Sequence, residues 1–135
     1  MTETRRDVDR EALIRQAAAA RERAYAPYSN YKVGAALLGA SGRVYLGCNV
    51  ENAVYPLSMC AERAAVFRAV CHGERHFEAV AVVTEKGGAP CGSCRQVLRE
   101  FSEELVVLIA DADGHWRETT VADLLPDSFS AADLG

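Results

Sequence analysis

The chain has 135 residues, half of them hydrophobic and a quarter charged, a length and composition suited to one globular domain spanning residues 1–135. Its formal net charge is −4, and the basic residues are dispersed among acidic ones rather than gathered in a stripe, so nothing in the charge favours a nucleic-acid partner. No apolar run approaches the ~20 residues of a membrane span, and the charged start Met1-Thr2-Glu3-Thr4-Arg5-Arg6 lacks the apolar core of a secretory signal; the expected compartment is the cytoplasm.

The first expected element is a helix from near Asp9 to Tyr25. Asp9 can cap it, Glu11 suits the positive end of its dipole, and Leu13, Ile14, Ala17, Ala18 and Ala24 give it an apolar side before Pro27 ends it. Strands are expected at residues 31–38 and 43–49, joined by the turn Gly39-Ala40-Ser41-Gly42. After a loop over residues 50–58, residues 60–71 read as a helix that is apolar on most faces and therefore central, with Gly73 as its stop. Residues 77–84 form a nearly continuous apolar run, the pattern of a strand covered on both faces. A loop over 85–90, an amphipathic helix at 91–101, a buried strand at 105–110, a turn at 111–114, a last strand at 115–120 and a short helix at 121–125 complete the chain. The order α-β-β-α-β-α-β-β implies an α/β fold, a three-layer α-β-α sandwich on a mixed five-stranded sheet.

The five cysteines are Cys48, Cys60, Cys71, Cys91 and Cys94. An odd count without a secretion signal argues against a disulfide framework. Cys48 and Cys71 end elements and read as small buried hydrophobes. Cys91 and Cys94 follow Pro90 at a helix start, and Cys60 also opens a helix, so all three thiols sit where a helix dipole favours thiolates. Taken by itself, Cys-x-x-Cys also reads as a redox dithiol or as half of a structural zinc site. A structural site closes all four positions with protein ligands, whereas a catalytic site keeps one open. Here no second Cys-x-x-Cys exists, and His72, His76 and His115 flank turns and read as surface residues. Glu62, two residues after the first thiol, stands in the first turn of an apolar helix, where a carboxylate needs a partner or a task. Proton transfer at an open zinc site is such a task. Three thiolates around Zn²⁺ leave one excess negative charge, which the helix dipoles and the neighbouring Arg63 can offset.

At Cys60-Ala61-Glu62 and Pro90-Cys91-Gly92-Ser93-Cys94 the chain resembles the cytidine deaminase family in its short single-domain form, from Ala26-Pro27-Tyr28-Ser29 to Phe129-Ser130. The resemblance implies one Zn²⁺ per subunit on Cys60, Cys91 and Cys94. It makes Glu62 the group that carries protons from water to the pyrimidine N3 and to the leaving amine. Asn49-Val50-Glu51-Asn52-Ala53 resembles the family's ribose-binding motif, with Asn49 and Glu51 on the sugar and Ala61 giving backbone contacts to the base. Tyr31 stands where the family commonly has Phe and implies stacking on the pyrimidine. Arg63 resembles the arginine that bonds the ligand thiolates, and Gln96 a residue supporting the metal site. Tyr55 and Phe129 match positions used across subunit boundaries of a homotetramer, Phe129 completing a neighbour's pocket. The implied partner is a free pyrimidine nucleoside, with no nucleic acid and no membrane. On residue type alone, Asn49-Val50-Glu51 reads as a polar strand end, Tyr31 as an ordinary strand aromatic and Tyr55 as a core tyrosine. Two other functions share the cysteine motifs: a deaminase of a blasticidin-type nucleoside antibiotic and a non-catalytic zinc-stabilised binding module. The ribose-like motif disfavours the first, and Glu62 with the missing fourth ligand disfavours the second.

Overall fold

The computed structural model describes residues 8–135; the charged start at residues 1–6 lies outside the described residues. Asp9 accepts the Ala12 N–H at 3.1 Å and opens helix α1 (Arg10–Arg21). Its buried stripe is Leu13, Ile14, Ala17 and Ala20, the spacing of one helical face, while Ala18 is exposed. The helix ends at Arg21 rather than Tyr25. Tyr25 instead pairs with the segment around Val50: its N–H donates to the Asn49 carbonyl at 2.9 Å, and the Glu51 N–H donates to its carbonyl at 2.8 Å.

Strands β1 (Gly34–Gly39) and β2 (Val44–Cys48) form the expected antiparallel hairpin, Gly34 opposite Cys48 and Leu38 opposite Val44. β1 starts three residues later than the apolar pattern suggests. The Asn49 side chain takes over the ladder there: its Oδ1 accepts the Val33 N–H and its Nδ2 donates to the Tyr31 carbonyl, each at 2.8 Å. The chain continues through a 3₁₀ turn (Tyr55–Leu57), α2 (Ala61–Cys71), β3 (Phe77–Val83), α3 (Gly92–Arg99), β4 (Val106–Ala110), β5 (Trp116–Thr120), α4 (Val121–Leu124) and a second 3₁₀ turn (Ala131–Leu134). The sheet order is β2-β1-β3-β4-β5; β3 and β4 are parallel and the other pairs antiparallel. The sheet is thus mixed and five-stranded, as expected.

The doubly apolar runs of β3 and β4 divide between two cores. Ala79, Ala81 and Val83 of β3 join Val106, Leu108 and Ala110 of β4 against Leu13, Ile14 and Ala17 of α1. Val80, Val82, Val107 and Ile109 point the other way, to Ala65, Val66 and Ala69 of α2 and Leu98 of α3. This gives the three layers. Burial of each Leu, Ile or Val side chain contributes about 1.5–3 kcal/mol, which makes the two faces of β3–β4 the main source of cohesion. α2 is more one-sided than its composition suggests. Ala61, Glu62, Ala65, Val66 and Ala69 are buried, whereas Phe67 and Arg68 are exposed.

One glycine decides where α2 begins. A Cβ on Gly47 of β2 would lie 2.4 Å from the Ala61 carbonyl oxygen and 2.7 Å from the Ala65 amide nitrogen. The first turn of α2 therefore rests directly on the β2 backbone, and this contact sets the position of Cys60 and Glu62. Gly47→Ala is expected to lower stability by about 1–3 kcal/mol through overpacking and to weaken zinc retention by displacing α2. Chemical denaturation and metal analysis of the variant check this; an unchanged midpoint would show that α2 can move without cost.

Candidate active site

Cys60 and Cys91 are the N-cap residues of α2 and α3, both with extended backbone and neither making a side-chain capping bond. Their sulfurs lie at helix ends whose amides lack intrahelical partners and whose dipoles favour negative charge. Cys94, one turn into α3, is buried. The Cys60 and Cys91 sulfurs are 4.0 Å apart, those of Cys91 and Cys94 are 3.6 Å apart, and all three lie within 4.8 Å of one another. A tetrahedral zinc with bonds of about 2.3 Å needs sulfurs about 3.8 Å apart, so the three thiols fit it. Arg63 donates from Nη2 to Cys60 Sγ at 3.2 Å.

Without a cation the thiols compete for protons. Hydrogen bonding from the Cys94 thiol, then from Arg63, holds Cys60 down to about 5 against the opposing effect of burial. The same bond to Cys60 pushes Cys94 upward, helped by burial and by the charge of Glu62. One sulfur ionises only by keeping its neighbour protonated. A dication among them removes that conflict.

Glu62 is the second residue of α2 and only 5 % exposed. Burial pushes its carboxyl above the usual carboxylate range, with the negative Cys60 adding to the rise and its own backbone N–H opposing it. Cys60, Glu62 and Cys91 line a cavity of about 310 Å³ together with Tyr31, Asn49 and Glu51. The cavity lies beyond the carboxyl end of β3, a usual place for ligands in sheets with parallel strands. Asn49 is held by the backbone bonds that end β1, which leave its second amide hydrogen to donate. Glu51 accepts the Tyr28 and Ser29 amides at 2.9 and 3.1 Å on Oε1 and the Ser29 hydroxyl on Oε2. The Ser29 hydroxyl, supported by these amides and opposed by burial, holds the Glu51 carboxyl below its usual range. An ionised carboxylate offers about four acceptor positions, so Glu51 still has one for a ligand hydroxyl.

The family described as the cytidine and deoxycytidylate deaminase zinc-binding region matches residues 7–110. A cytidine deaminase of Sporosarcina psychrophila is 50 % identical over 130 residues, covering 94 % of this chain and 96 % of its own. The chain belongs to the cytidine deaminase family. A crystal structure of the cytidine deaminase from Burkholderia pseudomallei matches the fold with a TM-score of 0.88 at 53 % identity, over 90 % of this chain and all of that one. The cytidine deaminase from Mycobacterium tuberculosis matches with a TM-score of 0.80 at 42 % identity, over 91 % and 98 % of the two chains. The region that defines the family binds zinc, and Cys60, Cys91 and Cys94 form a group here that could hold such an ion.

Against the cytidine deaminase pattern, Tyr31, Asn49, Glu51, Ala61 and Glu62 all line the one cavity. Gln96 is placed differently from its reading as a support of the metal site. It is exposed, and its Nε2 donates to the Phe129 carbonyl at 2.9 Å. Gln96 is two residues from Cys94, and residues two apart on a helix do not share a face. Phe129 lies outside this chain's cavity and is 57 % exposed. Tyr55 is 68 % exposed, edge-on to Tyr28 with ring centroids 6.0 Å apart, so it is not a core residue of the subunit. Two residues escaped the sequence reading: Ser29, which orients Glu51, and Thr84, which lines the cavity at the end of β3. The signal for Thr84 was a polar residue closing an apolar run.

Cys91→Ala is expected to drop bound zinc from about one ion per chain to a small fraction, because two thiols cannot hold the ion as three do. Atomic absorption on the purified variant tests this; full occupancy would contradict the ligand set.

Proposed function

We propose that this chain deaminates cytidine and deoxycytidine hydrolytically, releasing ammonia and leaving uridine and deoxyuridine, as a cytoplasmic step of pyrimidine salvage. The observation that carries the reading is that one cavity joins a three-thiol cluster and a buried carboxyl to two polar side chains suited to sugar hydroxyls. The family match names the chemistry.

Cys60, Cys91 and Cys94 would hold a zinc ion, which when bound would supply the Lewis acidity that makes water nucleophilic near neutral pH. Glu62 does the proton work. It accepts a proton from the attacking water and delivers it to N3 as C4 is attacked; it then takes the proton of the new C4 hydroxyl and passes it to the departing amine, so that ammonia leaves and the C4 carbonyl forms. Burial suits it to this cycle, because pushing the carboxyl above the usual carboxylate range makes the ionised form a stronger base toward the water's proton than a solvated carboxylate. Arg63 draws charge from Cys60 through its hydrogen bond and so offsets the excess negative charge of three thiolates. The second N–H of Asn49 donates to a ribose hydroxyl and Glu51 accepts from the same sugar. Tyr31 gives its face to the pyrimidine, and the backbone at Ala61 meets the base. Phe129 completes the pocket of a neighbouring subunit in a homotetramer. In support of that assembly, Phe129, Tyr55 and Leu57 are large apolar residues left exposed on one chain.

The test is the ultraviolet spectrum of zinc-loaded protein with cytidine, deoxycytidine and blasticidin S in parallel. Loss of the cytidine and deoxycytidine bands with blasticidin S untouched is the expected result; conversion of blasticidin S alone would overturn the substrate. Glu62→Gln should keep its zinc and lose about 10²–10⁴-fold in kcat, the usual worth of a positioned acid–base group. Turnover near that of the unaltered protein would remove Glu62 from the role. Glu51→Gln should raise KM about tenfold with kcat nearly kept, the size of one charge-assisted hydrogen bond to the sugar. An unchanged KM would place the ribose elsewhere.

A further inference from the structure

Among the described residues, the buried polar or charged side chains are Glu62 and Thr84, and both line the cavity. The proposed chemistry uses the first and leaves the second without a role. Thr84 is 3 % exposed and directly follows β3. Its own N–H donates to the Ala110 carbonyl at 3.2 Å, so the parallel register of β3 on β4 continues through it and fixes its side chain. Its Oγ1 accepts the Gly87 N–H at 2.8 Å and the Gly88 N–H at 2.9 Å. Those two bonds take both acceptor positions of the hydroxyl.

The turn that Thr84 holds has a definite shape. Gly87 has φ +79°, a region that favours glycine. Gly88 then faces Tyr31, and a Cβ on Gly88 would lie 3.3 Å from the Tyr31 hydroxyl. From there the chain runs through Ala89, which lines the cavity, into Cys91. On the outer side the loop is tied by Glu85, whose carboxylate meets Arg21 at 2.9 Å and whose carbonyl accepts the Ala112 N–H at 3.3 Å. Thr84 is the inner tie.

We infer that Thr84 is a positioning residue for nucleoside binding: its hydroxyl clamps the Gly87-Gly88 turn, and the turn holds Gly88 close against the Tyr31 hydroxyl, fixing the aromatic ring that lines the cavity. The inference rests on the deaminase reading and extends it to a residue that the ligand and proton-transfer motifs do not include. Valine at position 84 keeps the shape but leaves two amides without an acceptor in a cavity wall, and the turn relaxes to find other partners. Serine keeps the acceptor.

The experiment compares Thr84→Val, Thr84→Ser, Gly88→Ala and the double variant Gly88→Ala with Tyr31→Phe, each as the full zinc-loaded chain. Uridine binding by calorimetry, cytidine kinetics and amide hydrogen exchange at Gly87 and Gly88 are measured on the same samples. Thr84→Val should lose protection at both glycines and raise the uridine Kd and the cytidine KM about tenfold, the scale of one buried unsatisfied group. Its kcat should change by less than about threefold, because the group acts on binding rather than on the transition state alone. Thr84→Ser should restore Kd and KM. Gly88→Ala should also raise KM, and removing the Tyr31 hydroxyl should reverse part of that rise. A Thr84→Val protein that has lost thermal stability but keeps the wild-type Kd and KM overturns the inference, as does a Thr84→Ser protein that behaves like Thr84→Val. A wild-type chain that neither binds uridine nor converts cytidine overturns the deaminase reading and this inference together, whereas an active wild type beside an unaffected Thr84→Val overturns the inference alone.

Discussion

Negative charge is the constraint around which the rest of the molecule is arranged. Three thiols and a carboxyl meet where the first turns of α2 and α3 converge, and two of the four groups are buried. Left to themselves they cannot all ionise, as the opposite movements of Cys60 and Cys94 show. The fold answers with positive ends of helices, with one guanidinium on Cys60, and with a space shaped for a dication. Each answer depends on placement. Both helix starts meet at the one cavity: α3 begins after the loop that follows β3, and α2 begins at Ala61, directly after Cys60. Gly47 lets α2 lie close enough for its cap to take part.

Much of this was legible in the sequence, for physical reasons that differ from element to element. The strands β3 and β4 stood out because a parallel pair covered on both faces must be apolar at every position, and few other elements need that. The thiol cluster stood out because thiolate chemistry restricts the residue types and the spacing at helix starts. Glu62 stood out because a carboxylate in an apolar helix demands a reason. What the pattern misread were places where side chains replace backbone. Residues 31–33 alternate like a strand, yet the Asn49 side chain takes the Val33 N–H and the Tyr31 carbonyl, and only the Val33 carbonyl meets the backbone opposite, at the Asn49 N–H. Tyr25 continues an alanine-rich helix on paper, yet it leaves to bridge to the segment around Val50. Gln96 sits beside a ligand in the sequence and on another side of the helix in space.

The cavity is accordingly a composite. Its metal side comes from helix starts, which are rigid and set by packing against the sheet. The side proposed to take the sugar comes from a loop fastened by hydrogen bonds to Tyr25, Tyr28 and Ser29. The remaining wall is the turn after β3. Rigid chemistry beside adjustable recognition is a common division of labour in enzymes, since binding residues on loops can vary without disturbing the scaffold.

Asn49 breaks that division. Its amide serves as the last rung of β1 and, in the proposed complex, as a contact to the ribose. A residue with two such duties is hard to exchange: any replacement that alters sugar contact also unravels the strand edge beneath it. In the proposed complex, evolutionary adjustment of this pocket toward altered sugars is therefore channelled away from position 49 and toward Glu51 and Ser29, whose side chains bond each other between two loops and form no rung of the sheet.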